Sequence, residues 1–172
     1  VIDRSGNLNL SIGTPRVREG EHGAEYVVAW AAESATGSDI VLTKVDIDNL
    51  LRAKAAIYAG YTVLCQSVGV DPADVEQVLI GGAFGQYINV EKAVQIGLLP
   101  DLPWERFRFL GNTSARGAYL ALLSRPARAR VAAAAGKMTY LELSADNTFY
   151  ENFMSALFLP HTDVGLFPSV QA

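Results

Sequence analysis

Apolar and polar residues follow one another in patterns that predict three strands near the start of the chain and a long helix after them. The strands are predicted over residues 8–12, 25–31 and 40–42, from alternation or from runs of β-branched and aromatic residues. Apolar residues then recur at helical spacing over 44–68. Thr43 with Asp46 resembles a capping box, and Gly69 is placed to end the helix.

Strands and helices alternate in the second half of the chain. Strands are predicted over 75–80, 107–110 and 138–143, and helices over 90–96, 115–123, 127–135 and 147–158. The run Val78-Leu79-Ile80 is apolar throughout, which is typical of a parallel strand buried on both faces. The order strand-strand-strand-helix-strand-helix-strand-helix predicts an α/β fold with a mixed sheet. The last strand and helix are expected to form an appendix, dividing the chain into 1–125 and 126–172.

Composition limits the partners that the chain can have. Hydrophobic residues make up 50% of the 172 residues and charged residues 19%, against about 25% charged in a typical soluble domain. An exposed apolar patch is therefore expected. The net charge of −4 makes nucleic acid a poor partner, and no apolar stretch is long enough to cross a membrane. Val1 is not an initiator methionine, so we expect a piece of a longer protein. No targeting signal follows it, so we expect that protein to be cytoplasmic.

One cysteine and two distant histidines do not suggest a metal centre. Cys65 has no partner for an internal disulfide and cannot hold an iron–sulfur cluster by itself. His22 and His161 are far apart in the sequence, and we interpret both as loop residues rather than catalysts. No Ser/His/Asp set or pair of carboxylates indicates an enzyme active site.

The strongest candidate for a binding site is the turn that follows the strand predicted over 75–80. The residues of this turn are Gly81, Gly82, Ala83, Phe84 and Gly85. Ligands of open α/β sheets bind beyond the carboxyl ends of the strands, and glycines let a ligand approach the backbone. The turn is neither a Walker loop nor a GxGxxG fingerprint. From spacing alone, a tight turn that needs small residues for packing is the favoured alternative.

Two polar side chains are further candidates. Lys54 interrupts the apolar stripe of the long helix, so its ammonium either reaches solvent at the edge or faces a cleft that holds an anion. Asn112 lies in a second strand-to-helix turn, followed by Thr113 and Ser114, at the same edge of the sheet. Capping of the next helix by Thr113 or Ser114 is the favoured role of this turn, and Asn112 is also placed to line the same cleft.

Several segments resemble, in order, the C-terminal region of the ATP-dependent reductive activators of corrinoid proteins. They are 46–50, 53–60, 81–85, 96–101, 109–112 and 156–161. The resemblance implies an actin-like (ribonuclease H-like) lobe of the acetate and sugar kinase, heat-shock chaperone and actin superfamily. In that superfamily an apolar strand ending in Gly-Gly contacts adenosine, and residues 79–83 match it. Arg52-Ala53-Lys54 is similar to a basic helical segment that lies beside adenosine in the chaperones.

The resemblance also implies an activity. Members of the family reduce cob(II)alamin to cob(I)alamin in corrinoid methyl-carrier proteins and use ATP to drive the electron transfer. The resemblance implies that adenosine binds between this lobe and a second one. The residues implied on this lobe are Gly81, Gly82, Ala83, Phe84, Lys54 and Asn112. The superfamily's acidic, glycine-rich phosphate hairpin has no match in this sequence. Magnesium and the [2Fe-2S] cluster are therefore expected only in the full-length protein, and this piece is not expected to be catalytic alone.

Two alternatives remain open at the level of the sequence. One is a module for dimerisation or for docking the corrinoid protein, without nucleotide of its own, in which the last helix supplies the interface. The residues expected there are Phe149, Phe153, Leu157 and Phe158. The other is a related ATP-dependent electron activator or a kinase relative. The excess of apolar residues is expected to be covered by an upstream lobe or by a second copy.

Overall fold

The computed structural model describes residues 1–145 and 147–170, apart from the side chains of Gln86 and Ser144. Its first sheet is antiparallel, with β1 (Val17–Gly20), β2 (Gly23–Ala29) and β3 (Ile40–Thr43) in that order. Gly20 pairs with Gly23 across a two-residue turn, and Gly23 has a φ of 91°, a conformation that favours glycine. Three strands thus precede the long helix, as predicted.

The first of these strands lies later in the chain than the sequence pattern predicts. Residues Leu10–Ile12 form a 3₁₀ helix, and Leu8 makes only an isolated bridge to Ile2. The side chain of Asn9 accepts a hydrogen bond from the Ser11 amide, which gives the backbone a local alternative to strand pairing. The strand prediction over 8–12 is therefore wrong, and β1 was missed.

The long helix α1 (Lys44–Val68) confirms both its predicted bounds and its predicted caps. Thr43 and Asp46 form the capping box, in which each side chain bonds the backbone amide of the other residue. Gly69 ends the helix in the left-handed conformation, with a φ of 68°. Between these caps, one face of α1 supplies buried residues to the core.

The second sheet is a parallel pair, β4 (Val78–Gly81) and β5 (Phe107–Gly111). The helices that follow are α2 (Val90–Gln95), α3 (Thr113–Leu123), α4 (Arg125–Ala135) and α5 (Asn147–Ser155). The predicted element order up to α3 is confirmed, but the described strands form two sheets instead of one. Leu79 is 57% exposed, so β4 is not buried on both faces; within the described residues, β5 is its only partner.

The strand predicted over 138–143 does not form. Met138 and Tyr140 are about four-fifths exposed, and residues Leu143–Ala145 form a 3₁₀ turn before α5. Alternation of side chains marks a strand only where a neighbouring strand can pair with it, and no described strand lies beside this segment.

Two groups of apolar side chains form the core. The larger joins α1, α2, β5, the segment after α5 and the C-terminal tail, through Ala55, Tyr58, Ala93, Val94, Leu99, Leu102, Phe107, Ala156 and Phe167. Phe153 and Leu157 pack against this group, so they do not form the free interface predicted for the last helix. The smaller group lies under the first sheet, around Ile47 and Leu51. The division between 125 and 126 stays a prediction. No helix of the described residues is long and apolar enough to cross a membrane.

A lysine lies within this apolar interior. Lys54 of α1 has no exposed surface, and its Nζ donates to the backbone carbonyl oxygens of Phe158 and Pro160, the latter at 2.6 Å. Burial lowers the pKa of this ammonium from 10.5 to about 8. The expectation that Lys54 reaches solvent at the edge of the helix is therefore wrong.

Residues 158–162, called the strap below, are also held from the start of the chain. Arg4 Nη2 donates to the carbonyl oxygens of His161 and Thr162 at 2.5 and 3.3 Å. The Leu159 amide in turn donates to the Arg4 carbonyl oxygen at 2.8 Å. Cationic side chains from two distant segments thus donate to carbonyl groups along the strap, among them the partly buried carbonyls that accept from Lys54.

Gly97 allows the strap to pack closely against the turn after α2. It has a φ of +74°, and a Cβ at this position would lie 2.8 Å from the carbonyl carbon of Pro160 and closer still to the oxygen. Backbone conformation and backbone contact both require glycine here.

We expect Gly97→Ala to lower the free energy of unfolding by at least about 2 kcal/mol, because it adds left-handed strain and displaces the strap. Urea denaturation measures the change. Gly69→Ala is the matched control: its φ is +68° but no atom lies within 4 Å of the added Cβ, so strain alone costs about 1 kcal/mol. Equal losses for the two variants would contradict the packing role of Gly97.

The buried ammonium of Lys54 predicts a pH dependence of stability. Between about pH 8 and 10.5 the unfolded chain binds a proton at this site that the folded chain has released, so stability rises with pH. Relative to Lys54→Met, the free energy of unfolding of the unmodified protein is expected to gain on the order of 2 kcal/mol across this window. Urea denaturation of both proteins at several pH values measures it. A constant or falling difference contradicts the burial of a charged lysine.

Candidate functional site

The two predicted glycine-containing turns meet at the carboxyl ends of the parallel strands. Gly81 at the end of β4 pairs with Gly111 at the end of β5. The Gly82 amide donates to the Gly111 carbonyl oxygen at 2.7 Å, which extends the pairing beyond the strands. The structure thus brings together the Gly81–Phe84 turn and the Asn112 turn, as the sequence predicts from parallel strand ends.

The two adjacent glycines serve different purposes. A Cβ on Gly81 would lie 2.8 Å from Thr113 Oγ1, so this position needs a small residue for packing, in agreement with the alternative weighed from spacing. Gly82 has a φ of +107°, and no atom lies within 4 Å of its missing Cβ. Gly111 has the same combination, with a φ of +66° and open space. The backbone at Gly82 and Gly111 is therefore open to close approach by a ligand.

Ala83 and Phe84 continue the turn on the surface. Phe84 is 87% exposed, more than any other large apolar side chain among the described residues. A 3₁₀ turn, Gly85–Tyr87, follows and leaves Tyr87 exposed as well. Two aromatic rings with open faces next to bare backbone offer a flat, apolar ligand a surface to lie against.

Asn112 caps the helix that starts at the site. Its Oδ1 accepts from the Ala115 amide at 3.0 Å. The turn therefore caps α3 as predicted, but the cap is Asn112 and not Thr113 or Ser114, because the helix already begins at Thr113. The residue is exposed, and α3 directs the positive end of its dipole to this edge of the sheet. Arg116 stands in the first turn of α3 and adds a cationic side chain there. The edge thus favours a ligand that carries negative charge.

The structure does not make the ammonium of Lys54 available at this edge. Both carbonyl contacts of Lys54 lie in the strap, and its side chain has no exposed surface. Contact with a nucleotide would require the ammonium to leave these carbonyls. Its assignment as an adenosine-binding residue stays a prediction.

His161 lies in a loop, as the sequence predicts, but its side chain is buried in the interior. Its ring lies 5.4 Å from that of Tyr58 and 6.3 Å from that of Phe167. Burial, and then the neighbouring charge of Lys54, lower the pKa of its imidazole. This neutral, enclosed ring supports the packing of the strap.

The structure also contains a cavity that the sequence does not predict. It measures about 330 Å³ and is lined by Ser5, Asp48, Leu51, Arg52, Met154, Leu157 and Phe158. Three segments far apart in the chain form it, so no local pattern in the sequence announces it. No group of three or more His, Cys, Asp or Glu among the described residues is arranged to hold a metal ion.

Comparison with known proteins relates this geometry to a family. Residues 1–171 match the family described as the C-terminal domain of RACo, the ASKHA domain. The chain is 38% identical over 129 residues to the corrinoid activation enzyme RamQ of Eubacterium limosum, covering 75% of this chain and 22% of that protein. It is 28% identical over 123 residues to the Co(II) methylated amine-specific corrinoid protein reductase of Methanosarcina barkeri, covering 70% and 23%.

A solved structure gives the same result. The fold matches a reductive activator for corrinoid, iron-sulfur protein with a TM-score of 0.92 and 51% identity, over 98% of this chain and 27% of that one. The chain thus spans about a quarter of the length of these relatives. The actin-like fold implied by the resemblance is confirmed, and the chain belongs to the family of C-terminal ASKHA domains of RACo-type reductive activators of corrinoid proteins.

Proposed function

We propose that this chain supplies part of an ATP site to an activator that reduces cob(II)alamin to cob(I)alamin in a corrinoid protein. The observation that carries the proposal is the meeting of Gly82 and Gly111 at the ends of β4 and β5, joined by a hydrogen bond of 2.7 Å. Membership of the RACo C-terminal family supports it, and the names of the relatives refer to corrinoid proteins as what they activate or reduce.

The residues at this edge fit the adenosine part of a nucleotide. Gly82 and Ala83 expose backbone for close approach, and the exposed ring of Phe84 offers an apolar face. The N-terminus of α3, which Asn112 caps, favours the negative charge of the phosphates that the nucleotide also carries. ATP, when bound with magnesium between this lobe and a second one, supplies the free energy for an electron transfer that is otherwise uphill.

Nucleotide binding would act through the relative position of two lobes. A ligand shifts a conformational equilibrium only by as much as its affinity differs between the states. Contacts from the Gly82 turn and from a second lobe are both present only when the lobes are closed, so ATP favours closure. Closure then couples the nucleotide to contact with the corrinoid protein in the cytoplasm. A [2Fe-2S] domain elsewhere in the full-length protein would supply the electron.

A second candidate function, self-association, is favoured by exposed apolar side chains next to the same edge. Leu79, Phe84 and Tyr87 are 57%, 87% and 80% exposed. Sedimentation velocity of this chain over a range of concentrations tests it. A dimer that Leu79→Lys dissociates supports self-association, and a monomer at every concentration rules it out.

We expect Gly82→Val in the full-length protein to weaken ATP binding at least tenfold and to reduce ATP-stimulated cob(II)alamin reduction in parallel. A β-branched side chain is strained at a φ of +107° and would fill the space open to the ligand. Isothermal titration with ATP and the visible spectrum of the corrinoid protein measure the two effects.

Gly37→Val is the matched control for this experiment. Gly37 also has a positive φ, +69°, and open space around its missing Cβ, but it lies in the loop between β2 and β3. Both variants place a β-branched residue at a positive φ, so a loss of ATP affinity confined to Gly82→Val indicates the site. If Gly82→Val keeps the affinity and activity of the unmodified protein, the assignment is wrong.

A further inference from the structure

The basic residues of the chain are concentrated in one part of the fold. Seven of the 14 Lys and Arg residues lie between 106 and 137, a span that contains no Asp or Glu. The rest of the chain holds the other seven basic residues and all 18 acidic ones. The net charge of −4 therefore averages a strongly basic segment with a strongly acidic body.

This basic segment is the helical hairpin of α3 and α4 with its flanks. Six of its cations are exposed, namely Arg108, Arg116, Arg125, Arg128, Arg130 and Lys137. None of the ion pairs between described residues involves them. Arg106 differs, because its Nη1 donates to the carbonyl oxygens of Ala73 and Val75 at 2.8 Å. Six guanidinium or ammonium groups thus remain available to a partner.

The hairpin is open along its length. Helix α3 has no buried residue, and α4 buries only Ala127. Arg116, Tyr119 and Leu123 are spaced at i, i+3 and i+7, which places them on one face of α3. Tyr119 and Leu123 are 63% and 66% exposed. Arginine beside exposed tyrosine and leucine is the composition of protein interfaces, in which Tyr and Arg often dominate the binding energy.

Helix α4 turns Arg125 and Arg128 away from α3, whereas Arg130 lines the side that faces α3. The side facing α3 is marked by a cavity of about 340 Å³, lined on α4 by Ala127, Arg130, Val131 and Ala134. Arg125 and Arg128 are three residues apart, so they share a face on the far side of α4 from Ala127. The remaining positions of that face are alanines, so no acidic side chain competes for the guanidinium groups. Two adjacent arginines in this setting suit pairs of carboxylates, which guanidinium groups bind in bidentate fashion.

We propose that the α3–α4 hairpin is a docking surface for an acidic face of the corrinoid protein, an inference that rests on the proposed function. The acidic body of the chain repels an acidic partner everywhere except at the hairpin, so the field orients the approaching protein as well as attracting it. The apolar residues between the arginines then supply contact area once the partner has docked.

The test measures association of the full-length protein with a purified corrinoid iron–sulfur protein at several salt concentrations. Arg125→Glu with Arg128→Glu is expected to slow association roughly tenfold at low ionic strength, with the difference vanishing at high salt. Lys92→Glu is the control for charge reversal, because Lys92 is exposed on α2, outside the basic segment; it should change the rate less than twofold. Arg125→Lys with Arg128→Lys keeps the charge and should preserve the salt dependence.

The outcomes separate docking from nucleotide binding. ATP affinity is expected to be unchanged in all these variants, so it reports on the proposed function independently. Equal effects of the hairpin and Lys92 variants, or no measurable association of the unmodified protein, overturn the docking proposal. Competition by single-stranded DNA that depends on the same arginines also overturns it, in favour of a nucleic acid partner.

If the glutamate variant fails to fold, Arg125→Ala with Arg128→Ala takes its place. It should slow association less than the glutamate variant, with the same salt dependence, and no slowing rejects the proposal.

Discussion

The contact between the Lys54 ammonium and the carbonyl groups of the strap is the constraint on which the arrangement of the core depends. Burial of an ammonium is unfavourable unless hydrogen bonds replace its water, and burial of unpaired carbonyl groups is unfavourable for the same reason. Here each group satisfies the other. Because the donor is on α1 and the acceptors follow α5, the contact fixes how these helices pack. Tyr58, His161 and Phe167 can meet in the interior only once the strap is in this position.

The candidate site is built by different forces. Parallel pairing of β4 and β5 places Gly82 and Gly111 side by side, and backbone conformation rather than side-chain chemistry defines the surface they present. Gly81 is constrained by Thr113 and Gly82 by its φ, so two neighbouring residues of the same type have separate causes. The space around the missing Cβ is open at Gly82 and filled by Thr113 at Gly81. A substitution at Gly82 therefore tests ligand binding, whereas one at Gly81 would disturb the packing.

Features determined by nearby residues were predictable from the sequence, and features determined by distant ones were not. The bounds of α1 follow from Thr43, Asp46 and Gly69, all adjacent to its ends, and the meeting of the glycine turns follows from the direction of parallel strands. The strand predicted over 138–143 required a partner strand that no local pattern reports. The acceptors of Lys54 lie more than 100 residues away along the chain, and the arginines of α3 and α4 were hidden in a net charge averaged over the whole sequence.

Among the described strands, the half-exposed strand β4 pairs only with β5. Among the described residues its sheet contains only two strands, so the outer backbone N–H and C=O groups of both β4 and β5 have no strand to pair with. A strand added to either edge would bring its own terminal residues within reach of Gly82 or Gly111 by main-chain hydrogen bonding alone, whatever its sequence. A segment that paired at one of these edges would therefore extend the sheet and add backbone groups beside Gly82 or Gly111 at the same time.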